Sequence, residues 1–487
     1  MNGFFAQGRR GAEGLGATRR RGDAEKASPA GGPSASPRLR VHSKSLRPCT
    51  SARTILFPLA FAVAAPIPAH ADVLIDNVNG ITLGTDGAAE RFNGVLVGDD
   101  GRIEQVLTRG DKRPGKVDYK LDGKGRVLIP GLIDSHVELM KFGLSLLTGE
   151  DAPPESKPRP EDRDLALAKA QQALLAQGIT AVADMGTTIE DWQAYRRAGD
   201  LGTLRLRIAG YAEGIDAMIL IGGPGPTTWL YDDRLRLNGV RLTLDGPLAS
   251  REAALKAPYA DGPAKGAVTR LSDTQLKNLM SRAAMDMFQV AVDASGDKAS
   301  GEVLNAIDEL AQTYKGERRW RIERAEAVDL ADLPRFKANG ITISVQPPQL
   351  AGLGGAEAHL GPARAAGAYA WKSLADAGAT LAFGSGMPGA MPDPFAGMAA
   401  AITRPGAPLT REAALAAYTR GGARAIFAEG RIGRITRGAR GDFVLIDTDP
   451  LLAAPDELRA IRVIETWVGG KRVYQAKDSA PVQAEGR

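Results

Sequence analysis

Cysteine is almost absent from this 487-residue chain: Cys49 stands alone, so a disulfide scaffold is excluded. Aromatic residues make up only 5% of the sequence. No apolar run is long enough to hold a bilayer, and the longest candidate, Ile55 to Ala65, is short and contains Pro58, which excludes a stable membrane span. Neither charge sign dominates the body. The chain carries +5, but residues 1–71 alone carry eleven Lys/Arg against three Asp/Glu, and the remainder is mildly acidic at −3. A nucleic-acid partner loses its main support once that segment is set aside. With 44% hydrophobic residues, 58 Gly and 30 Pro, the chain is rich in turns yet apolar enough for a large core, and neither disordered nor collagen-like.

The first 71 residues read as a leader. Arg47 and Arg53 precede the apolar run, and Ala69-His70-Ala71 offers small residues where a signal peptidase cuts, so cleavage is expected after Ala71 with export to a periplasm or beyond. Cys49 precedes the run, which does not suit a lipid-anchored cysteine, and the mature chain has none. The low-complexity stretch before Arg53 is long for a leader. A later, non-Met start such as Val41 is expected, since the next methionine is Met140.

From Val73 short strands alternate with turns: Val73 to Asn77, Gly94 to Gly98, Ile103 to Leu107 and Arg126 to Ile129. Similar strands return at Asp442 to Asp447, Ile461 to Val468 and Lys471 to Tyr474. Neither group suffices for a core, so residues 72–128 and 432–475 are expected to form one small β-domain, a β-sandwich built from both ends of the mature chain, with 476–487 a tail. Between them, over 129–431, eight apolar runs alternate with helical stretches. The runs are 128–136, 180–186, 204–211, 239–246, 288–295, 320–326, 340–346 and 380–386, and the helices include 165–177, 272–286, 301–314 and 362–377. That alternation predicts an α/β fold, a TIM-like (β/α)8 barrel whose functional groups stand at the carboxyl ends of the strands.

Pro130-Gly131-Leu132-Ile133-Asp134-Ser135-His136, Leu244-Asp245-Gly246, Gly296-Asp297 and Gly441-Asp442-Phe443-Val444-Leu445 together resemble the amidohydrolase superfamily, in particular the branch of N-substituted formamide deformylases and related exported hydrolases. The likeness runs from about Val73 to Tyr474. It implies hydrolysis of non-peptide carbon–nitrogen bonds by Zn²⁺ or another divalent metal, which lowers the pKa of a bound water to about 7. It also implies a ligand set: a His-x-His pair on strand one, a lysine on strand four, histidines ending strands five and six, and an aspartate ending strand eight.

This sequence departs from that set almost throughout. The pair reads His136-Val137-Glu138, Arg241 stands for the lysine, Asp293 and Arg324 fall at the ends of strands five and six, and Gly386 replaces the aspartate. Arginine has no lone pair to offer, and a like charge about 4 Å away costs about 4 kcal/mol at an effective dielectric near 20. Glu138 and Asp293 balance Arg241 and Arg324, so a self-neutralised salt-bridge cluster is expected, with no metal and no other cofactor. The long insertion that the resemblance places after strand one is replaced by the short polar link Gly149 to Pro154.

Other readings of the same residues stay open. His136 can act as a ligand or as a hydrogen-bonding scaffold residue; Glu138 and Asp293 can form an oxygen-rich Ca²⁺ or Mg²⁺ site; Arg241 and Arg324 can recognise a carboxylate or phosphate at the barrel mouth. The favoured role is a non-catalytic one, binding a small molecule or a partner chain. The competing one is a hydrolase in which Glu138 or Asp293 is the base and Arg324 or Arg241 steadies an oxyanion. Ser295-Gly296-Asp297-Lys298 matches Ser-x-x-Lys without its companion motifs, and the glycine-rich 221–226 and 352–355 stretches lack a neighbouring Lys-Ser/Thr and read as loops over the barrel mouth. Arg318, Arg319, Arg321 and Arg324 surround Trp320, but strand alternation divides them between two faces. His359 reads as an exposed loop residue. Barrels of this kind often form homodimers, and no segment marks an interface.

Overall fold

Hydrogen-bond pairing sorts the strands of the computed structural model into an eight-stranded, a six-stranded and a four-stranded sheet. The structure describes residues 72–148, 158–265, 269–388 and 391–477. The leader, its cleavage site, the 149–154 link and most of the C-terminal tail lie outside the described residues.

The eight-stranded sheet is parallel throughout and runs in chain order: Leu132–Val137, Ile179–Thr187, Arg207–Glu213, Leu235–Thr243, Gln289–Ala294, Arg321–Arg324, Thr342–Val345 and Thr380–Phe383. Its two edges meet through a parallel bridge between Val137 and Met387, reinforced by the Gly386 amide donating to His136 O (2.9 Å) and the Glu138 amide to Met387 O (3.0 Å). The barrel therefore closes on the very residues where the site was expected. Gly384 permits that approach, because a Cβ there would lie 2.5 Å from His136 N.

Helices cover the barrel wherever the sequence supplies a cap and an apolar stripe. Ser272 caps Asp273–Met285 by accepting from the Gln275 amide, and Thr188 does the same for Ile189–Asp200 from Asp191. The interior of the barrel is lined by small residues on alternate positions, Ala181, Ala183, Ala209, Ala291 and Ala382. That economy of volume leaves room for the large polar side chains described below.

The other two sheets draw on both ends of the described chain. Val127–Pro130 pairs antiparallel with Phe443–Ile446, which continues into Val463–Val468 and Lys471–Gln475; Asn79–Leu83 and Ala89–Phe92 complete the six-stranded sheet. Val73–Asp76, Gly94–Val97, Ile103–Leu107 and Tyr119–Asp122 form the four-stranded one. Leu128, Phe443, Leu445 and Trp467 share one buried cluster, so the two chain ends are joined by core packing as well as by pairing. Arg207 on the third barrel strand then ties the barrel to this domain: its guanidinium grips both oxygens of buried Asp442 (2.6 and 2.8 Å).

Two expectations are corrected. The strand expected over 128–136 is two strands in different sheets, separated at Gly131, where a Cβ would sit 2.2 Å from Thr180 Oγ1. The helix expected over 362–377 is a single 3₁₀ turn, Ala365–Gly367, followed by the short helix Trp371–Asp376, because Ala368–Ala370 run to a bridge with Ala327 and a Tyr369 amide bond to Glu326 O.

Candidate site at the barrel mouth

His136, Glu138, Arg241 and Asp293 are brought to the carboxyl ends of strands one, four and five. Arg241 lies at the centre. Its Nη1 donates to Glu138 Oε1 (2.5 Å) and to Met185 O (2.7 Å), while Nε and Nη2 both donate to Asp293 Oδ2 (2.8 and 2.6 Å). Glu138 Oε2 is held by Lys141 Nζ at 2.5 Å, one helical turn along. Burial pushes Glu138 up, but the neighbouring Arg241 and Lys141 outweigh it and leave the carboxyl below its usual range. Three of these side chains stay partly open to solvent, at 12% for Arg241, 15% for Glu138 and 52% for Lys141.

Beneath this cluster lies a second, fully enclosed one. Arg321 clasps Glu323 in a true fork, Nε to Oε1 at 2.7 Å and Nη2 to Oε2 at 3.2 Å, with both side chains at 0% exposure. Arg321 also donates to Tyr211 Oη (2.9 Å) and Ser135 O (2.7 Å), and its guanidinium carbon lies 4.8 Å from the Tyr211 ring centre. His136 Nδ1 meets Glu323 Oε2 at 2.8 Å. Burial raises the Glu323 carboxyl, and the Arg321 charge with the His136 hydrogen bond reverses that, holding it at about 2.

Arg324 stands apart from Arg241, Glu138 and Asp293. Asp293 pairs in register with Glu323 and Ala294 with Arg324, so strand alternation turns Glu323 and Arg321 into the barrel and leaves Arg324 on the opposite parity. Its nearest acid is Glu326, Nη1 to Oε1 at 3.8 Å. The expected two-plus-two cluster of Glu138, Asp293, Arg241 and Arg324 is thus replaced by one guanidinium between two carboxylates, closed by Lys141, above a separate arginine–glutamate pair. The residues missed were Arg321, Glu323 and Lys141. Alternation along Arg321–Arg324 was the available signal for the first two, and the i, i+3 spacing from Glu138 for the third.

Gly386 adopts a left-handed φ of 73° as the backbone turns back to close the barrel. An L-residue there is strained, and its Cβ would lie 3.0 Å from Gln346 Cγ. The position is built for closure. Among the described residues no group of three or more His, Cys, Asp or Glu is arranged to hold a metal ion. The donor chemistry agrees: both Glu138 oxygens and Asp293 Oδ2 face cations already, and His136 Nδ1 is spent on Glu323. The residues present do not fit a divalent ion.

The motif residues serve the same rim. Asp245 accepts from the amides of Ala254, Ser295 and Gly296, folding the loop after strand four over the end of strand five, and burial pushes its carboxyl up to about 6 despite those three donors. Gly296 allows this, as a Cβ would meet Ala254 O at 2.0 Å. Lys298 lies by Glu302 (3.7 Å) and has no hydrogen bond to Ser295, which removes the Ser-x-x-Lys reading. His359 is on the helix Leu353–Leu360, not in an exposed loop; its side chain is 13% exposed, and Nδ1 meets Asp261 Oδ2 at 2.7 Å, pinning the loops after strands seven and four together. The glycine-rich 221–226 stretch leads from the helix Ile215–Gly222 toward the start of strand four, which is the end of the barrel opposite the mouth. The arginines around Trp320 have separate environments: Arg318 against Tyr314, Arg319 between Glu317 and Glu429, Arg321 inside the barrel.

A closed (β/α)8 barrel with a β-domain assembled from both chain ends is an architecture shared with metal-dependent hydrolases: the structure of an uncharacterized metal-dependent hydrolase from Pyrococcus furiosus superposes with a TM-score of 0.67 over 78% of this chain and 100% of that one, at 22% identity. The model of the amidohydrolase family matches residues 147–474, and the chain belongs to that family. Relatives include Protein LONG AFTER FAR-RED 3 of Arabidopsis thaliana, 30% identical over 343 residues (64% of this chain, 58% of that protein), and the N-substituted formamide deformylase of Arthrobacter pascens, 25% identical over 328 residues (63% and 59%). The chain spans just under three fifths of the length of each.

Proposed function

We propose that this amidohydrolase-family protein belongs with the formamide-deformylase-like branch, is exported, and has set aside metal-dependent hydrolysis to hold a small molecule at the barrel mouth without turning it over. The observation that carries this is Arg241, bonded to Glu138 and Asp293 at the point where metal ligands of the family converge. A cation fixed to the backbone neutralises the two carboxylates, and its charge disfavours a second cation in the same space.

A second reading keeps catalysis. Asp293 Oδ1 is buried with no hydrogen-bond partner among the described residues, so it is the group best placed to act as a base, with Arg241 beside it. Turnover on a panel of N-formyl and N-acyl amides separates the two readings. The expected result is no hydrolysis above that of a heat-denatured control. Hydrolysis abolished by Asp293→Ala would establish the rebuilt enzyme instead. For export, mass spectrometry of the processed protein is expected to find an N-terminus at Asp72.

A further inference from the structure

The end of the barrel opposite the mouth carries a cleft of about 510 Å³. Thr380, the first residue of the last barrel strand, lines it, and it shares no residue with the cluster around Arg241. Its floor is apolar and built from small side chains: Ala379, Ala413 and Ala416 pack against the main core while staying partly exposed in the cleft. Its walls are Arg420, Arg424 and Arg434, with Glu429 the only acid among the described residues that line it.

These charges do not cancel. Arg319 holds Glu429 through both oxygens (2.5 and 2.9 Å) and also grips Glu317, which in turn accepts from Arg424 Nη2 at 2.6 Å. Two arginines and two glutamates balance there. Arg420 and Arg434 stand outside that balance, because both are anchored by backbone carbonyls, which fix a guanidinium without neutralising it. Arg420 Nη1 donates to Gly84 O and Thr85 O (2.7 Å each), and Arg434 Nε donates to Leu83 O (2.8 Å). Among the described residues Arg420 makes no ion pair, and Arg434 has only Glu90, 3.9 Å from Nη2 and 59% exposed, which is too far for a hydrogen bond.

The three carbonyls belong to consecutive residues at the end of the strand Asn79–Leu83, whose Cα atoms follow one another at about 3.8 Å. They therefore seat the two guanidinium groups side by side on one wall. Arg420 Nε and Nη2 and Arg434 Nη1 and Nη2 are left without hydrogen-bond acceptors among the described residues. We propose that this cleft binds a small organic phosphate, its phosphate shared between Arg420 and Arg434 and its organic group lying on the alanine floor. Two adjacent forks with one weakly placed acid suit a dianion with several acceptor oxygens better than a single carboxylate. The volume exceeds what a lone ion needs, and the floor favours a ligand with an apolar body. This site is independent of how the barrel mouth is read.

The test is calorimetric titration of the full chain at low salt with phenyl phosphate, inorganic phosphate and benzoate. Phenyl phosphate is expected to bind at least about fivefold more tightly than either of the others, since each lacks one half of the match. Arg420→Gln is expected to weaken it at least about tenfold and Arg420→Lys to restore part of the loss. Because Arg420 also ties the strand end to the barrel, Ala416→Glu supplies the second variant: it fills the cleft and adds an acid at a partly exposed helical position, touches neither arginine, and is expected to abolish binding with Tm unchanged. Inorganic phosphate binding as tightly as the ester would show an adventitious ion only. That result, no binding of phenyl phosphate, or binding indifferent to Arg420→Gln or Ala416→Glu would each overturn the proposal and leave the two arginines as struts between strand and barrel.

Discussion

The barrel contains two arginine–carboxylate clusters that differ in depth. At the mouth Arg241 joins Glu138 and Asp293 with solvent at the rim; inside, Arg321 and Glu323 are wholly enclosed, and His136 Nδ1 meets Glu323. In the enclosed pair every charge must be met by protein, and it is: the fork, Tyr211, Ser135 O and His136 all converge there. At the mouth Arg241 and Glu138 keep partial contact with solvent, while buried Asp293 Oδ1 has no hydrogen-bond partner among the described residues. Depth decides which cluster is sealed by protein and which meets solvent.

The sharpest way to separate them is to break each in turn. Glu323→Gln removes the charge opposite a fully buried arginine and is expected to cost about 3–5 kcal/mol in denaturant unfolding. A loss below about 1 kcal/mol would show that Arg321 finds water or another acceptor. Arg241→Met is expected to cost less, about 1–3 kcal/mol, since Glu138 is 15% exposed and keeps Lys141, so that only Asp293 loses its cation. If the two variants lose equal stability, the distinction by depth fails. Lys141→Met, at an exposed pair, should change stability by less than about 1 kcal/mol.

Acid titration sharpens the same contrast. Glu323 is held at about 2 against an ordinary 4.5, so its stabilising contribution is full above about 4.5 and is lost as pH falls toward 2. Asp184, on strand two and buried with Thr187 and Tyr195, behaves oppositely: burial raises it to about 7, so its effect on stability is unfavourable at neutral pH and relieved as pH falls from 7 toward 4. Tm measured from pH 4 to 8 is expected to fall through that window, and Asp184→Asn to flatten the fall. An unchanged slope in the variant would mean that another group titrates there.

The barrel was legible in the sequence because its strands are apolar runs buried on both faces, punctuated by capped helices. Ala89–Phe92 and Tyr119–Asp122 were not, since each buries only one of its four residues and their place depends on neighbours far away in the chain. At the site, motif positions located Arg241, Glu138 and Asp293 but added Arg324, which strand parity sets apart from the inward-facing Arg321 and Glu323. Gly386 reads as a lost ligand in sequence; the closing turn it makes emerges only once the barrel is assembled. The rim loops pinned by His359 and Asp261 rest on contacts between segments 98 residues apart, which no local pattern announces.

Elemental analysis of protein purified without chelators, then dialysed against equimolar zinc, iron and manganese, tests the central claim most directly. A metal content well below one equivalent per chain is expected, because Arg241 already supplies the positive charge between Glu138 and Asp293. One tightly held equivalent of any of these metals, lost on Asp293→Ala, would contradict it.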